Sequence, residues 1–537
     1  MSASITCSAL GFHWPDGDPV FEDLNLLIGA GRTGLIGVNG SGKSTLLRLL
    51  AGELTPAAGS IAVTGEIGYL PQTITLDASR RIDDVLGISA QRAALAAIES
   101  GRGTEADFGV LGEDWDVEER TRATLDRLGL GRLGSGHLGL DRTVGGVSGG
   151  ESVLLALAAL LVRRPPVLLL DEPTNNLDLR ARRLVHRAVA EWPGVLVVVS
   201  HDQELLDLMD RIADLRDGEV RYYGGNFTAY QAAVAAEQET ALRLVRAAEQ
   251  DLRRQQRELI DARVKLDRRL RYGQKMWDQK REPKVVMGNR KRAAEVSAGK
   301  HRIMHQDKLA QAKDRVQEAE EAVRADGQIR VELPHTEVPP GREVLRLSTV
   351  ELRCGPVVDL DVRGPERIAL VGANGSGKTT LLRTITGALA PVSGEVAVKV
   401  PLRWLPQRLD VLEDELSAIG NVAKAAPEAG QQRIRAQLAR FLLRGRKAEQ
   451  AAGTLSGGER FRASLATLLL AEPAPQLFLL DEPTNNLDLA SVAQLTQALS
   501  AYAGALVVAS HDLPFLRTLG ITRWLLLTDT LTEVAPM

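Results

Sequence analysis

Two stretches of this chain, GVNGSGKST at 37–45 and GANGSGKTT at 372–380, set glycines, a lysine and hydroxyl residues at the spacing of a phosphate cradle. Gly37, Asn39, Gly40, Ser41, Gly42, Lys43, Ser44 and Thr45 are the nucleotide-binding residues this predicts in the first. Gly372, Asn374, Gly375, Ser376, Gly377, Lys378, Thr379 and Thr380 are their counterparts in the second. In such a cradle, backbone N–H groups converge on one anion and the N-terminus of the following helix adds partial positive charge. The lysine reaches the outer phosphates, and Ser44 and Thr379 are suited to ligate Mg²⁺. Two apolar runs, VLLL at 167–170 and LFLL at 477–480, read as buried strands that deliver Asp171 and Asp481 to that metal. Glu172 and Glu482 follow at once, placed to polarise an attacking water in phosphoryl transfer. Carboxylates that merely cap a helix after Pro173 or Pro483 are the structural alternative.

The elements that hold these residues must be built twice. YLPQ ending at Gln72 pairs with WLPQ ending at Gln407, and VSGGE at 147–151 with LSGGE at 455–459. LLLDEPTNNLD at 168–178 pairs with FLLDEPTNNLD at 478–488, and VVVSHD ending at Asp202 with VVASHD ending at Asp512. The order is the same in both sets, so the chain is two copies of one α/β domain. Each cradle follows a strand-like run, TGLIG or IALVG, and opens a helix ending near Gly52 or Gly387. The first copy is the longer between its glutamine and its SGG turn, which predicts an insertion near 101–110, a loop or a short helical arm.

Composition narrows the classes. The chain has 537 residues with 66 Lys+Arg against 69 Asp+Glu, a net charge of −3 that excludes a bulk polycation. Two cysteines, Cys7 and Cys354, make neither a disulfide framework nor a zinc cluster, so a reducing, cytoplasmic setting is expected. The most apolar stretch, 153–162, is followed by Arg163, Arg164 and two prolines, well short of the ~20 residues of a membrane span.

P-loop, glutamine loop, SGGE signature, DEPTNNLD and SHD, in this order, resemble ATP-binding cassette ATPases across most of the chain. The resemblance implies two P-loop ABC nucleotide-binding domains in a head-to-tail sandwich, with ATP and Mg²⁺ as cofactors. Lys43, Asp171, Glu172 and His201 of one half would face Ser456 and Gly458 of the other, and the mirrored set would form a second site. It further implies that Ser148, Gly149, Gly150, Ser456, Gly457 and Gly458 contact nucleotide. Gln72 and Gln407 would join Ser44, Thr379, Asp171 and Asp481 at the metal and the γ-phosphate. His201 and His511 would contact the γ-phosphate beside the catalytic Glu172 and Glu482. Taken as residues alone, the SGGE turn starts a helix and offers donors to an anion from outside its own domain.

Two departures follow from the same resemblance. An aromatic residue stacks on adenine in the family, and Trp14 in LGFHWPDG is better placed for this than Phe12, whereas the second copy has Cys354 there. After its signature the first copy reads Ser152, Val153, Leu154 where the second reads Arg460, Phe461, Arg462. The family has a basic residue at the position of Leu154, so the site that uses Lys378 is expected to be the slower of two hydrolytic sites.

Between the copies, Val245, Leu252, Leu259 and Leu266 recur at heptad spacing, and Leu309, Ala312, Val316, Ala319 and Val323 form a second stripe. The pattern predicts an α-helical antiparallel hairpin linker over 230–328, between ABC domains at 1–229 and 329–537. Its turn, GQKMWDQKREPKVVMG at 273–288, contains Pro283. Residues 261–310 hold 15 Lys+Arg against 6 Asp+Glu. A solvated helix face is the ordinary meaning of such a run. Here Met276, Trp277, Val285, Val286 and Met287 lie among the cations, a mixture that suits folded RNA.

Two cassettes without a membrane span, EPTNNLD, a GNF segment after the first cassette and this basic hairpin together resemble the ABC-F family. That resemblance implies binding at the ribosomal exit site, with the linker reaching toward the P-site tRNA and peptidyl-transferase centre. The role implied is antibiotic resistance or translation factor. Arg268, Arg269, Arg271, Lys275, Lys280, Arg281, Lys284, Arg290, Lys291 and Arg292 would contact rRNA or tRNA, and Trp277 and Met287 would be tip residues. The rival readings are a fused two-cassette subunit of a membrane importer and a DNA-organising ATPase. Both halves of the sandwich lie in one chain, so a monomer is expected.

Overall fold

Unbroken apolar runs become the innermost strands. In the first half the strands are β1 (Ser4–His13), β2 (Pro19–Ile28), β3 (Gly31–Ile36), β4 (Ala58–Thr64), β5 (Ile67–Leu70), β6 (Val167–Asp171), β7 (Val195–Val199), β8 (Arg211–Arg216) and β9 (Glu219–Gly224). β6 and β7 are buried at every residue, as parallel strands covered on both faces must be. The sheet order is β5-β6-β7-β3-β8-β9, parallel except for the antiparallel β8–β9 pair, and a separate antiparallel sheet runs β2-β1-β4.

The second half repeats both sheets with β10 (Glu343–Glu351), β11 (Val357–Arg363), β12 (Arg367–Val371), β13 (Ser393–Val398), β14 (Leu402–Leu405), β15 (Leu477–Asp481), β16 (Ala505–Ala509), β17 (Arg523–Leu527) and β18 (Leu531–Val534). Their orders are β14-β15-β16-β12-β17-β18 and β11-β10-β13. The computed structural model describes residues 3–15, 17, 19–134, 139–145, 147–278, 303–304, 307–320, 329, 331–408, 410–485 and 487–536. Met1–Thr228 and Gln328–Met537 make one unit, and Ala229–Gly327 makes another.

This topology collects the motifs. The P-loop helix Lys43–Leu50 follows β3, the acidic pair ends β6, and the SHD turn follows β7, which lies between β6 and β3. Asp171 pairs in register with Val199, and Asp481 with Ala509. Three loops therefore emerge at adjacent carboxyl ends of parallel strands, where ligands bind in open α/β sheets. The frame is stiffened from behind. In the second half, one apolar layer around Phe441, Phe461, Phe478 and Tyr502 faces the helices, and another joins the antiparallel sheet to the P-loop helix through Leu381 and Leu479.

The insertion of the first half is helical. Ser89–Glu99 packs on Glu105–Leu111, whose start is fixed by a capping box between Thr104 and Asp107. The second half passes from β14 to helices Ala418–Ala425 and Gln431–Arg440 without a matching pair. At the end of the insertion Phe108 and Trp115 are both half-exposed, their rings 6.1 Å apart.

A helix of 52 residues runs from Phe227 to Asp278, and 307–320 are helical. Leu259 and Ala312 of the expected stripes are buried, and Arg315 Nη1 lies 3.5 Å from Asp251 Oδ2 across the two runs. Arg268, Arg271 and Lys275 are exposed. Lys280, Arg281, Lys284, Met287, Arg290, Lys291, Arg292 and Val323, and the side chains of Leu266, Arg269 and Trp277, lie outside the described residues. Among the described residues no helix is long and apolar enough to cross a membrane.

Leu479 is fully buried beneath the second P-loop helix. Leu479→Ala is expected to lower unfolding free energy by ~2–5 kcal/mol, read from the denaturant midpoint of the purified chain.

Candidate nucleotide sites

Each P-loop wraps around its own lysine. Lys43 Nζ donates to the carbonyls of Gly37 at 2.9 Å and Val38 at 3.1 Å, and Lys378 Nζ to those of Gly372 at 2.8 Å and Ala373 at 3.2 Å. Gly42 and Gly377 end the loops at φ 94° and 100°, a left-handed conformation that glycine adopts without strain. A Cβ at Gly42 would also stand 2.7 Å from Phe21 Cζ and Val20 Cγ1. Among the described residues the buried hydroxyls of Ser41 and Ser376 have no hydrogen-bond partners, as befits loops shaped for an anion.

Beside each loop stands a cavity. The first, of about 510 Å³, is lined by Trp14, Asn39, Gly40, Gly42, Lys43, Ser44, Thr45, Gln72, Glu172 and His201, with Val20, Asn175 and Val199. The second, of about 380 Å³, is lined by Cys354, Asn374, Gly375, Gly377, Lys378, Thr379, Thr380, Gln407, Glu482, Asn485 and His511, and by Asn176 and Leu177 of the other half. Most of the residues singled out in the sequence thus converge. The signature residues Ser148–Gly150 and Ser456–Gly458 are not among the linings. Ser148 and Ser456 cap the helices Gly149–Arg163 and Gly457–Leu469 through reciprocal bonds with Glu151 and Glu459.

The acidic pairs are built alike. Asp171 and Asp481 are almost wholly buried, and burial raises both above the usual carboxylate range, although the Ser44 and Thr379 hydroxyls bond to them. Thr379 Oγ1 is 3.2 Å from Asp481 Oδ1. Asp171 Oδ1 and Asp481 Oδ2 are buried with no hydrogen-bond partner among the described residues. An anionic oxygen left so is stabilised by a divalent cation, and the hydroxyl, carboxylate and Gln72 or Gln407 amide oxygen are the hard donors Mg²⁺ takes. A cluster of three or more His, Cys, Asp or Glu residues fit to cage a metal does not occur among the described residues. The donor set therefore suits a cation shared with phosphates.

Glu172 and Glu482 adopt φ 50° and 44°, rare for a non-glycine residue. Their amides donate to Val199 and Ala509 carbonyls at 2.8 Å each, which holds the strained turn. Burial pushes the Glu172 carboxyl up to about 8 and that of Glu482 to about 7, with Lys43 and Lys378 pulling the other way. His201 Nε2 lies 3.3 Å from Glu172 Oε1, and His511 Nε2 3.4 Å from Glu482 Oε1. Burial lowers the two histidines to about 4 and about 3, so these are contacts of neutral rings.

The bonds between the halves run through a segment whose role was not read from the sequence. Asn39 N–H donates to Asp488 Oδ2 at 2.9 Å, and Asn374 Nδ2 donates to the Asn176 carbonyl at 2.7 Å. Gln407 Nε2 lies 3.5 Å and Asn485 Nδ2 3.4 Å from Asn176 Oδ1. The repetition of NNLD after each acidic pair was the available signal.

The two cavities are unequal where Trp14 lines the first. Trp14 packs edge-on against Phe12 with ring centroids 5.2 Å apart, and Arg48 of the P-loop helix lies 5.9 Å from the Trp14 ring. In the second cavity the exposed Cys354 takes that place.

The chain matches the family model described as ABC transporter over residues 21–175 and 357–485. It is 33% identical to the tylosin resistance ATP-binding protein TlrC of Streptomyces fradiae, with 92% of each chain covered. It is 32% identical to the probable ATP-binding protein YheS of Escherichia coli strain K12, covering 91% of this chain and 73% of that one. Identity to ATP-binding cassette sub-family F member 3 of Rattus norvegicus is 30%, covering 95% and 69%. Among solved structures, the RNase-L inhibitor superposes with a TM-score of 0.54 at 18% identity, covering 99% of this chain and 90% of that one. An archaeal ribosome recycling factor, aABCE1, in complex with the ribosomal stalk protein aP1 gives 0.52 at 18% identity, covering 98% and 90%. These structural likenesses show the fold.

Trp14→Ala is expected to weaken ATP binding at the first site by ~1 kcal/mol, roughly fivefold. Titration with ATP in a Lys378→Ala background, where the second cradle is silenced, reads the change, and Trp14→Phe should recover most of it.

Proposed function

The chain belongs to the ABC-F family of ATP-binding cassette ATPases, and from that premise we propose that it acts on the ribosome, hydrolysing ATP with Mg²⁺ at two sites shared between its halves. The relationship to the tylosin resistance protein, 33% identity over 92% of both chains, carries this reading and favours antibiotic resistance by ribosome protection over a general translation role. The cited relatives that extend across both cassettes bear sub-family F, resistance or ATP-binding-protein names, which supports the ribosomal reading over the importer subunit.

In the proposed mechanism the P-loop amides and Lys43 or Lys378 bind the outer phosphates. Ser44, Asp171 and Gln72 would hold Mg²⁺ at the first site, and Thr379, Asp481 and Gln407 at the second, where the ion supplies charge neutralisation for the phosphates. Glu172 or Glu482 accepts a proton from the attacking water as its oxygen bonds to the γ-phosphorus and the bond to the bridging oxygen breaks. Neutral His201 or His511 offers an N–H to a γ-phosphate oxygen. Signature residues Ser456–Gly458 and Ser148–Gly150 would reach the opposite nucleotide on closure, and hydrolysis would reopen the halves. The basic linker would occupy the exit-site region, with Arg268, Arg271 and Lys275 among its phosphate contacts and the tip directed at the P-site tRNA.

Two experiments test this. The Glu172→Gln/Glu482→Gln double variant should co-sediment with ribosomes when ATP is present and not without it; protein that stays in the supernatant in both cases would sink the ribosomal reading. Arg268→Gln, Arg271→Gln and Lys275→Gln together should weaken that binding and reduce the slope of log affinity against log salt by about one unit per lost phosphate contact. An unchanged slope would take these residues out of the RNA interface.

A further inference from the structure

The duplication leaves one helix face unlike its copy. The helix Leu179–Ala190, LRARRLVHRAVA, carries four arginines, one histidine and no acid, while its counterpart Leu489–Ser500, LASVAQLTQALS, carries no charged residue. In the second half Gln497 Oε1 accepts the Ile329 N–H at 2.8 Å, and Ile329, Val331 and Leu333 join Val492, Leu495, Ala498 and Leu499 in one apolar core. There the helix is covered by the chain's own segment.

In the first half Arg187 stands at the position of Gln497, and the face is open. The exposed residues of the helix are Arg180, Arg183, Arg187 and Ala190. Arg180 and Arg187 are seven residues apart, about two turns, with Arg183 between them, so the three share one face over roughly 10 Å of helix. None of the three makes a hydrogen bond or an ion pair with another described residue. The other cations of the helix lie deeper. Arg182 is partly buried, and His186 Nε2 is 2.9 Å from Asp202 Oδ2. Of the acids at its ends, Asp178 caps the helix through Ala181 N–H and Glu191 follows the last turn.

Three unpaired cations side by side repel one another, and a matching row of anions relieves that repulsion. A guanidinium takes two oxygens of one phosphate at once. The face offers no aromatic anchor of the kind on which protein partners concentrate binding energy. Nor has it the apolar side that a helix lying on a bilayer sinks into lipid, because Val185 and Val189 are buried in the fold. What remains is a row of charge, the means by which proteins hold a nucleic-acid backbone without reading its bases. We propose that Arg180, Arg183 and Arg187 form an RNA-docking surface on the first cassette, apart from the linker, that grips a phosphate backbone. This rests on the ribosomal reading for the identity of its RNA, which is then rRNA.

The test uses the full chain carrying Glu172→Gln and Glu482→Gln, sedimented with ribosomes and ATP over a series of KCl concentrations. Adding Arg180→Gln, Arg183→Gln and Arg187→Gln should reduce the slope of log affinity against log salt by about two to three units. Arg180→Lys, Arg183→Lys and Arg187→Lys together should keep most of the slope, because they keep the charge. Arg346→Gln, Arg363→Gln and Lys399→Gln, at exposed positions of the second half, remove the same charge elsewhere and should leave the slope as it was. An unchanged slope in the first triple variant, or an equal fall in the last, overturns the proposal. Should the parent stay in the supernatant, the ribosomal reading falls. Filter binding of purified rRNA to the same proteins then decides the row by itself, a smaller slope upholding an RNA surface and an unchanged one overturning it. Vesicles of phosphatidylglycerol complete the comparison: binding to them that Arg180→Gln, Arg183→Gln and Arg187→Gln abolish, with rRNA binding untouched, would make the row a lipid surface and overturn the RNA assignment.

Discussion

A buried ammonium is the constraint around which each site is organised. Lys43 and Lys378 are only 8% and 7% exposed, and burial alone drives both below the usual lysine range. Carboxylates oppose that loss: Glu172, Asp488 and Asp171 around Lys43, and Glu482, Asp481 and Asp178 around Lys378. Those acids are desolvated too, so Glu172 and Asp171, like Glu482 and Asp481, are raised. Taking both signs of charge out of water is tolerated only where the geometry satisfies them mutually. The adjacent carboxyl ends of β3, β6 and β7, and of β12, β15 and β16, provide it.

Neither half completes its own charge set. Asp488 belongs to the second half and serves the first cradle, while Asp178 of the first half acts on Lys378. The aspartates have a second task, since each caps the helix that follows it, through Ala181 N–H in one case and Ser491 N–H in the other. A shift of either helix therefore changes the field at the opposite lysine. This gives a physical route by which events at one nucleotide are felt at the other, with rigid strands as the reference frame.

The duplication has been allowed to drift where chemistry tolerates it. The P-loop and acidic-pair residues match in both halves down to the left-handed φ of the glutamates. The positions of Trp14 and Cys354, of Leu154 and Arg462 and of Arg182 and Val492 do not match. Phosphate transfer fixes the positions of several atoms at once, whereas stacking and remote charge alter affinity or rate by smaller steps.

Much of this was legible before any coordinates. The cradles, the acidic pairs, the order of the motifs and the two-copy α/β architecture follow from local spacing, because a phosphate loop or a capping box is made by residues within one turn of each other. The heptad stripe was legible for the same reason, and Leu259 and Ala312 are buried as the spacing requires. The insertion was left between loop and helix, and only the packing of Ser89–Glu99 on Glu105–Leu111 decides for helix. Tertiary structure alone decided which residues serve the opposite half. Asn39 meets Asp488 and Asn374 meets Asn176 across the two halves. Local spacing encodes what a backbone can do within a few bonds; a charge acts through space, and its partners exist only once the two sheets have brought their carboxyl ends together.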